Sequence, residues 1–290
     1  MRLSIRSFFD AATATFSHIV DDGDGVCAVI DPVLGFDARS GRTDARPAEA
    51  VAAHIEGQGL QVQWLLETHA HADHLSGAPY LQQRFGGTLA MGSGITAVQR
   101  AFRGVFNAED LAVDGSQFQH LFADGEAFRI GDLQAHALHV PGHTPADVAY
   151  LVEDPAGGPS VVFLGDTLFM PDLGTARCDF PGGDAHQLYR SVGRLLALPG
   201  DTRLCLCHDY PPPGREATCS TTVAAQRSGN IHVRDGIGED DFVALRRARD
   251  ATLAMPALML PSVQVNIRAG HLPPEEANGV AYLKIPVNCL

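Results

Sequence analysis

The apolar positions of this chain fall into short runs, many alternating with polar residues, separated by Gly, Pro and Asp. Residues 3–9, 13–20 and 26–33 read as three strands of an antiparallel meander, broken by Asp21-Asp-Gly-Asp-Gly25 and closed by Asp31-Pro32. Residues 47–56 then predict a helix stopped by Gly57. Residues 60–67 start with period-two alternation and become continuously apolar, the mark of a strand buried on at least one face. Leu75, Tyr80, Leu81 and Phe85 recur at roughly helical spacing, which predicts a helix over 73–85 with Gly86-Gly87 as its stop.

Further on, 95–102 reads as a helix, and 118–122, 127–140, 147–152 and 160–164 as strands with Gly-rich turns between them. Residues 184–198 place Leu188, Val192, Leu195 and Leu196 on one helical face, and 202–207 is another apolar strand. After Pro211-Pro-Pro-Gly214 come a polar loop, a helix around 240–251 and a Pro-spaced tail from 261 to 290. This order predicts an α+β fold, two mixed sheets covered by helices. Residues 1–210 form the main domain, and 211–290 an extension packed on the same domain.

Composition narrows the function classes. With 290 residues, 45% hydrophobic and 19% charged, the chain can bury a sizeable core. A formal charge of −13 argues against tracking nucleic-acid backbones, because that affinity rests on basic surface. Lys284 is the only lysine, so an anionic substrate must be held by Arg forks or backbone N–H groups. No stretch of about 18 apolar residues is present, which excludes a membrane-spanning helix. The six cysteines form no CxxC pair and the N-terminus has no apolar signal core, so the expected compartment is the cytoplasm.

The run Thr68-His-Ala-His-Ala-Asp-His74 directly follows a predicted strand, and it carries three imidazoles and a carboxylate within six positions. These are ligand types for Zn, Fe and Mn, enough to serve two adjacent ions. Three later segments each end a strand with another such group. Pro141-Gly142 forces a turn that aims His143 inward, with His139 read as a packed neighbour or one that orients a ligand. Asp166 stands among apolar residues, where an unpaired carboxylate is costly unless it binds a cation. His208 follows Cys205-Leu-Cys207.

In this order the motifs resemble the metallo-β-lactamase superfamily, with its HxHxDH motif, then His, Asp and His. The resemblance implies a four-layer αββα sandwich, with His69, His71, His143 and Asp166 at one metal and Asp73, His74, Asp166 and His208 at a second. The stretch Gly165–Gly183, the segment Leu188-Tyr-Arg-Ser-Val192, His208-Asp-Tyr210 and Asn266-Ile-Arg268-Ala-Gly270 are similar to the persulfide dioxygenase family. That family implies oxidation of glutathione persulfide by O2 and water to sulfite and glutathione, at one Fe(II) per chain, in a homodimer. The iron would be held by His69, His143 and Asp166, a two-His-one-carboxylate triad with open positions for substrate and O2. His71, Asp73, His74 and His208 would then orient the first three or hold a second ion. Arg177, Tyr210 and Arg268 are the candidates for binding substrate, with a structural role for Arg177 on Asp179 as the alternative. Cys178 reads as a packing residue.

The alternative is a thioester hydrolase like glyoxalase II, with the same ligands around two Zn or Fe ions. A third reading is a non-catalytic sulfur or metal sensor with a partner surface on its tail.

Overall fold

The structure is a computed structural model and describes residues 3–289. The chain begins β1 (Ser4–Asp10), β2 (Thr15–Asp21), β3 (Val26–Ile30), β4 (Val33–Asp37), β5 (Arg42–Asp44) and α1 (Arg46–Gln58). It continues through β6 (Gln61–Leu66), β7 (Leu75–Ser76), α2 (Ala78–Phe85), β8 (Thr88–Gly92), α3 (Ile95–Val105) and β9 (His120–Phe122). The second half supplies β10 (Ala127–Ile130), β11 (Leu133–His139), β12 (Val148–Val152), β13 (Val161–Phe163), α4 (Ala185–Leu196) and β14 (Arg203–Cys205). Last come β15 (Ser220–Thr222), α5 (Val223–Gly229), α6 (Glu239–Asp250) and α7 (Met259–Asn266).

One sheet has the order β1-β2-β3-β6-β8-β9 and the other β10-β11-β12-β13-β14-β15. Three apolar clusters define four layers, α/β/β/α. Val20, Ile30, Leu66 and Phe122 of the first sheet meet Ile130, Ala137, Tyr150 and Phe163 of the second, between the sheets. Val51, Ile55, Leu81, Val98 and Val263 bring α1, α2, α3 and α7 onto the outer face of the first sheet. Leu188, Val192, Val223 and Phe242 bring α4, α5 and α6 onto the second. Each of the buried Val, Leu, Ile and Phe side chains among them contributes roughly 1.5–3 kcal/mol. The continuously apolar end of β6 follows from its place: it pairs in parallel with both β3 and β8, with both faces covered.

The helix over 73–85 is shorter than its spacing predicts. Leu75 and Ser76 pair instead with Leu34 and Val33 of β4, and α2 begins at Ala78. Pro79 suits the first turn of a helix but not the interior of one that starts at 73, where it would lack an N–H for the carbonyl four residues back, and with residues 75 and 76 paired to β4, Asp73 and His74 sit in a loop. The single strand over 127–140 is a hairpin that turns between Ile130 and Leu133, with Gly131 at φ 54°. The Pro-spaced tail contains α7, in which Pro261 is the third residue and has no N–H to orphan. Residues 211–290 enter both outer layers and add β15 to the edge of the second sheet. No helix among the described residues is long and apolar enough to cross a membrane.

Candidate metal centre

All seven ligand-type residues meet where strands of the two sheets end. The loop after β6 is shaped from below by Asp31, at the end of β3, whose backbone is held at φ 49°, a conformation that costs a non-glycine residue energy and is typical of functional sites. Thr68 donates to Asp31 from both its N–H and its Oγ1, each at 2.8 Å. His71 Nε2 donates to Asp31 Oδ1 at 3.0 Å and faces Glu67 Oε2 at 3.3 Å. From the other side Asn266 of α7 donates to the carbonyls of His71 and His74 at 2.8 Å each, and accepts from Ser76 N at 2.9 Å.

The remaining ligands are held as tightly. Gly142, at φ 148°, lets the His143 loop pass α4 where a Cβ would lie 2.4 Å from Leu188 backbone, and Thr144 ties the loop to Asp147. His143 Nδ1 donates to the Arg177 carbonyl at 2.7 Å. The Arg177 loop is in turn pinned by α6, because Arg246 donates to Thr175 O and Asp250 accepts from Cys178 N. Gly165 lets Asp166 close over the motif: a Cβ there would stand 2.6 Å from Thr68 Oγ1. His208 Nδ1 donates to Ala14 O at 3.2 Å, and the next residue, Asp209, accepts both arms of Arg215.

The consequence is a set of aimed polar atoms without partners. His69 Nδ1 is taken by Thr68, His71 Nε2 by Asp31, and His74 Nδ1 by Asp73. The opposite atoms, His69 Nε2, His71 Nδ1 and His74 Nε2, together with His208 Nε2 and Asp166 Oδ1, are buried without a hydrogen-bond partner. Buried polar atoms are rarely left so, and five at one point fit a metal site. Asp166 divides its oxygens: Oδ2 lies 3.6 Å from His143 Nε2 and 4.0 Å from His69 Nε2, whereas Oδ1 lies 3.5 Å from His208 Nε2. His69, His143 and Asp166 form one group of donors within 4.8 Å of one another, and His71, Asp73, His74 and His208 a second. His71 thus stands with the second group by distance, and its ring also lies 4.0 Å from that of His69.

Electrostatics suit the same role. Burial, helped by His71 and His143, drives His69 well below its ordinary value, so it stays neutral and able to donate a lone pair. Burial opposes charge on Asp73 as well, yet His208 and His74 hold it far below the usual carboxylate range. Burial opposes the charged form of His208, but Asp73 and Asp166 lift it well above its ordinary value. An arriving cation replaces that proton, so metal uptake should release protons.

A cavity of about 560 Å³ opens on this cradle, and Asp73, His143 and Asp166 form its floor. Phe169, Leu173, Phe180, Leu253 and Leu258 supply apolar walls. Tyr210, 48% exposed, stacks on His208 at the mouth. Arg177 also lines the cavity, but its fork is closed on Asp179 at 2.6 and 2.7 Å and its Nη1 donates to Ala254 O. Arg268 lies elsewhere, paired with Asp110 in a cavity of about 260 Å³. His139 packs on the first sheet with Nε2 donating to Phe122 O, and Cys178 packs in the outer core of the second.

Asp31, Glu67 and Asn266 also shape the site, although the ligand motifs do not mark them. The Asp31-Pro32 strand end hints at the first and the Asn266-Ile-Arg268-Ala-Gly270 likeness at the last, while the bonds from Asn266 to backbone carbonyls nearly 200 positions away leave no spacing pattern.

The profile described as metallo-beta-lactamase superfamily matches residues 11–208. The chain belongs to this superfamily. It is an enzyme of that superfamily with a His/Asp metal-binding site. A probable metallo-hydrolase of Burkholderia pseudomallei is 53% identical, covering 99% of this chain and 100% of that protein. Glyoxylase B2 of Dictyostelium discoideum is 48% identical over 94% of this chain and 92% of its own length. Human mitochondrial persulfide dioxygenase ETHE1 is 28% identical over 92% and 88%. Among solved structures, ETHE1 from Myxococcus xanthus superposes with a TM-score of 0.72 at 27% identity, covering 92% of this chain and 100% of that one.

Proposed function

We propose that the protein hydrolyses a glutathione thioester at a two-ion centre. The observation that carries this reading is the division of Asp166 between two groups of donors, each with buried atoms that nothing else satisfies. The hydrolase and glyoxylase names of the relatives at 53% and 48% identity support it.

Bound there, two divalent ions would polarise the thioester carbonyl and acidify water. The chain's own groups do the rest. His69, His71, His74, His143 and His208 have their second ring nitrogens fixed, so the donors need little rearrangement. Asp73 reaches the cavity floor, where its carboxylate can accept a hydrogen bond from the attacking water and orient it. The products are a carboxylate and a thiol, and a thiol leaves without a dedicated acid. Apolar walls suit the acyl group, and Arg249, which lines the cavity and is engaged by no carboxylate among the described residues, suits a glutathione carboxylate.

The second reading is the persulfide dioxygenase. It draws on the separate His69, His143 and Asp166 triad, on the Gly174-Thr-Ala-Arg-Cys-Asp-Phe180 stretch and on the ETHE1 structural neighbour. The two are separated by counting metals on anaerobically purified protein, then measuring thiol release from a glutathione thioester and O2 uptake with glutathione persulfide. Two ions and thiol release support hydrolysis. One iron, with O2 uptake matched by sulfite, overturns it for the dioxygenase.

A further inference from the structure

Four cysteines are buried, and three have an apolar setting. Cys27 packs under α1–α3, Cys205 between the sheets and Cys178 under α4 and α6. Cys207 is fully buried yet belongs to none of these clusters. Its Sγ lies within 4.8 Å of donor atoms of Asp31 and His71, and within the same distance of donor atoms of Asp166 and His208. His71, His208 and Asp166 each also carry a buried polar atom without a partner. A cysteine that only fills space belongs among apolar side chains, whereas a soft donor between imidazoles and carboxylates suits a thiophilic cation.

We propose that Cys207 is an additional, sulfur donor to the metal centre, on its His71–Asp166–His208 side. The two sides then differ in chemistry. His69, His143 and Asp166 offer only nitrogen and oxygen, while the Cys207 side favours Zn(II) or Co(II) over harder ions. The thiol loses its proton to solvent as the ion binds. The inference rests on the metal centre described above and not on the substrate.

The test uses the full chain carrying Cys219→Ser and Cys289→Ser, which removes the two cysteines that are not buried, loaded with Co(II) alone. Sulfur-to-cobalt charge-transfer absorption in the near ultraviolet is expected. It should persist in Cys205→Ser and vanish in both Cys207→Ser and Cys207→Ala, with chelator competition showing at least a tenfold loss of affinity for one ion. Cobalt bound without the band, or a band that survives Cys207→Ser, overturns the proposal. The parent spectrum is read first, so a misfolded variant does not remove the test. Counting cobalt on the same samples keeps the failures apart. A band at one ion per chain retains Cys207 as a donor and sinks the two-ion reading, and two ions without a band do the reverse. Failure to bind cobalt at all sinks both.

Discussion

In the cradle, five imidazoles each commit one ring nitrogen to a neighbour and turn the other toward a shared space. In the wall above it, Arg177 and Arg246 already have their forks closed on Asp179 and Asp250. The cradle is therefore finished by something the chain does not contain, whereas most of the wall's charge is satisfied within the chain. Removing a cradle residue should empty the site. Arg249 is the wall cation still available, and removing it should alter only what the site accepts.

The largest effect should come from Asp166→Ala, because its two oxygens serve both groups of donors. Outer-shell changes alone cost about 10–100-fold in metal affinity or activity. Loss of the shared ligand should exceed about a hundredfold in turnover and leave under one metal per chain by elemental analysis. A variant that binds as much metal as the parent would break the contrast at its root.

Next comes Asn266→Ala. It strips three hydrogen bonds and leaves two carbonyls and an N–H unsatisfied in the buried floor, each worth about 1–3 kcal/mol. A stability loss of about 3 kcal/mol in denaturant titration, with metal affinity lowered about 10–100-fold, is the expected result. If affinity stays at the parent level, the loop does not depend on α7 and the extension is only a cover.

Asn266 also shows what was legible in the sequence. Strands β3, β6, β13 and β14 and helix α4 could be read from periodicity, because their burial is a local pattern with a sharp end; Asp184, for instance, caps α4 through Gln187 N. The ligands could be read because each directly follows such a strand. Asn266 and Asp31 could not, since their partners are remote groups; Glu67, whose partners His71 and Ser76 are near in sequence, reads only as the polar end of an apolar strand. Strand β8 carries no periodic signature for another reason: Thr-Leu-Ala-Met-Gly is short and bounded by glycine, and it forms by pairing in parallel with β6 and β9. Arg268, in the same tail segment as Asn266, reads as a substrate cation from sequence, but its charge is taken by Asp110.

Acid should expose the floor of the cradle. His18 Nε2 donates to Leu206 O, two residues before His208, and Nδ1 accepts from Ser7 Oγ, an arrangement that requires the neutral ring. Burial lowers its pKa to about 4 from the ordinary 6.5. Between those values the unfolded chain binds the extra proton, so stability rises with pH and is lost on acidification from about 6.5 toward 4. The metal-free parent should lose about 2 kcal/mol more than His18→Gln between pH 7 and pH 5. Equal slopes would place His18's proton elsewhere.

The smallest effects sharpen the wall side. Arg249→Ala should raise KM for a glutathione thioester by roughly tenfold, one lost charge-assisted contact, with kcat and metal content held. Arg268→Ala should do neither. Its bidentate pair with Asp110 sits in another cavity, beside a carboxylate 47% exposed, and such pairs contribute under about 1 kcal/mol. Its KM should match the parent's while its denaturation midpoint drops slightly. If KM instead rises as in Arg249→Ala, substrate must reach past α7 into the Asp110 cavity, and the wall would extend beyond the cavity above the cradle.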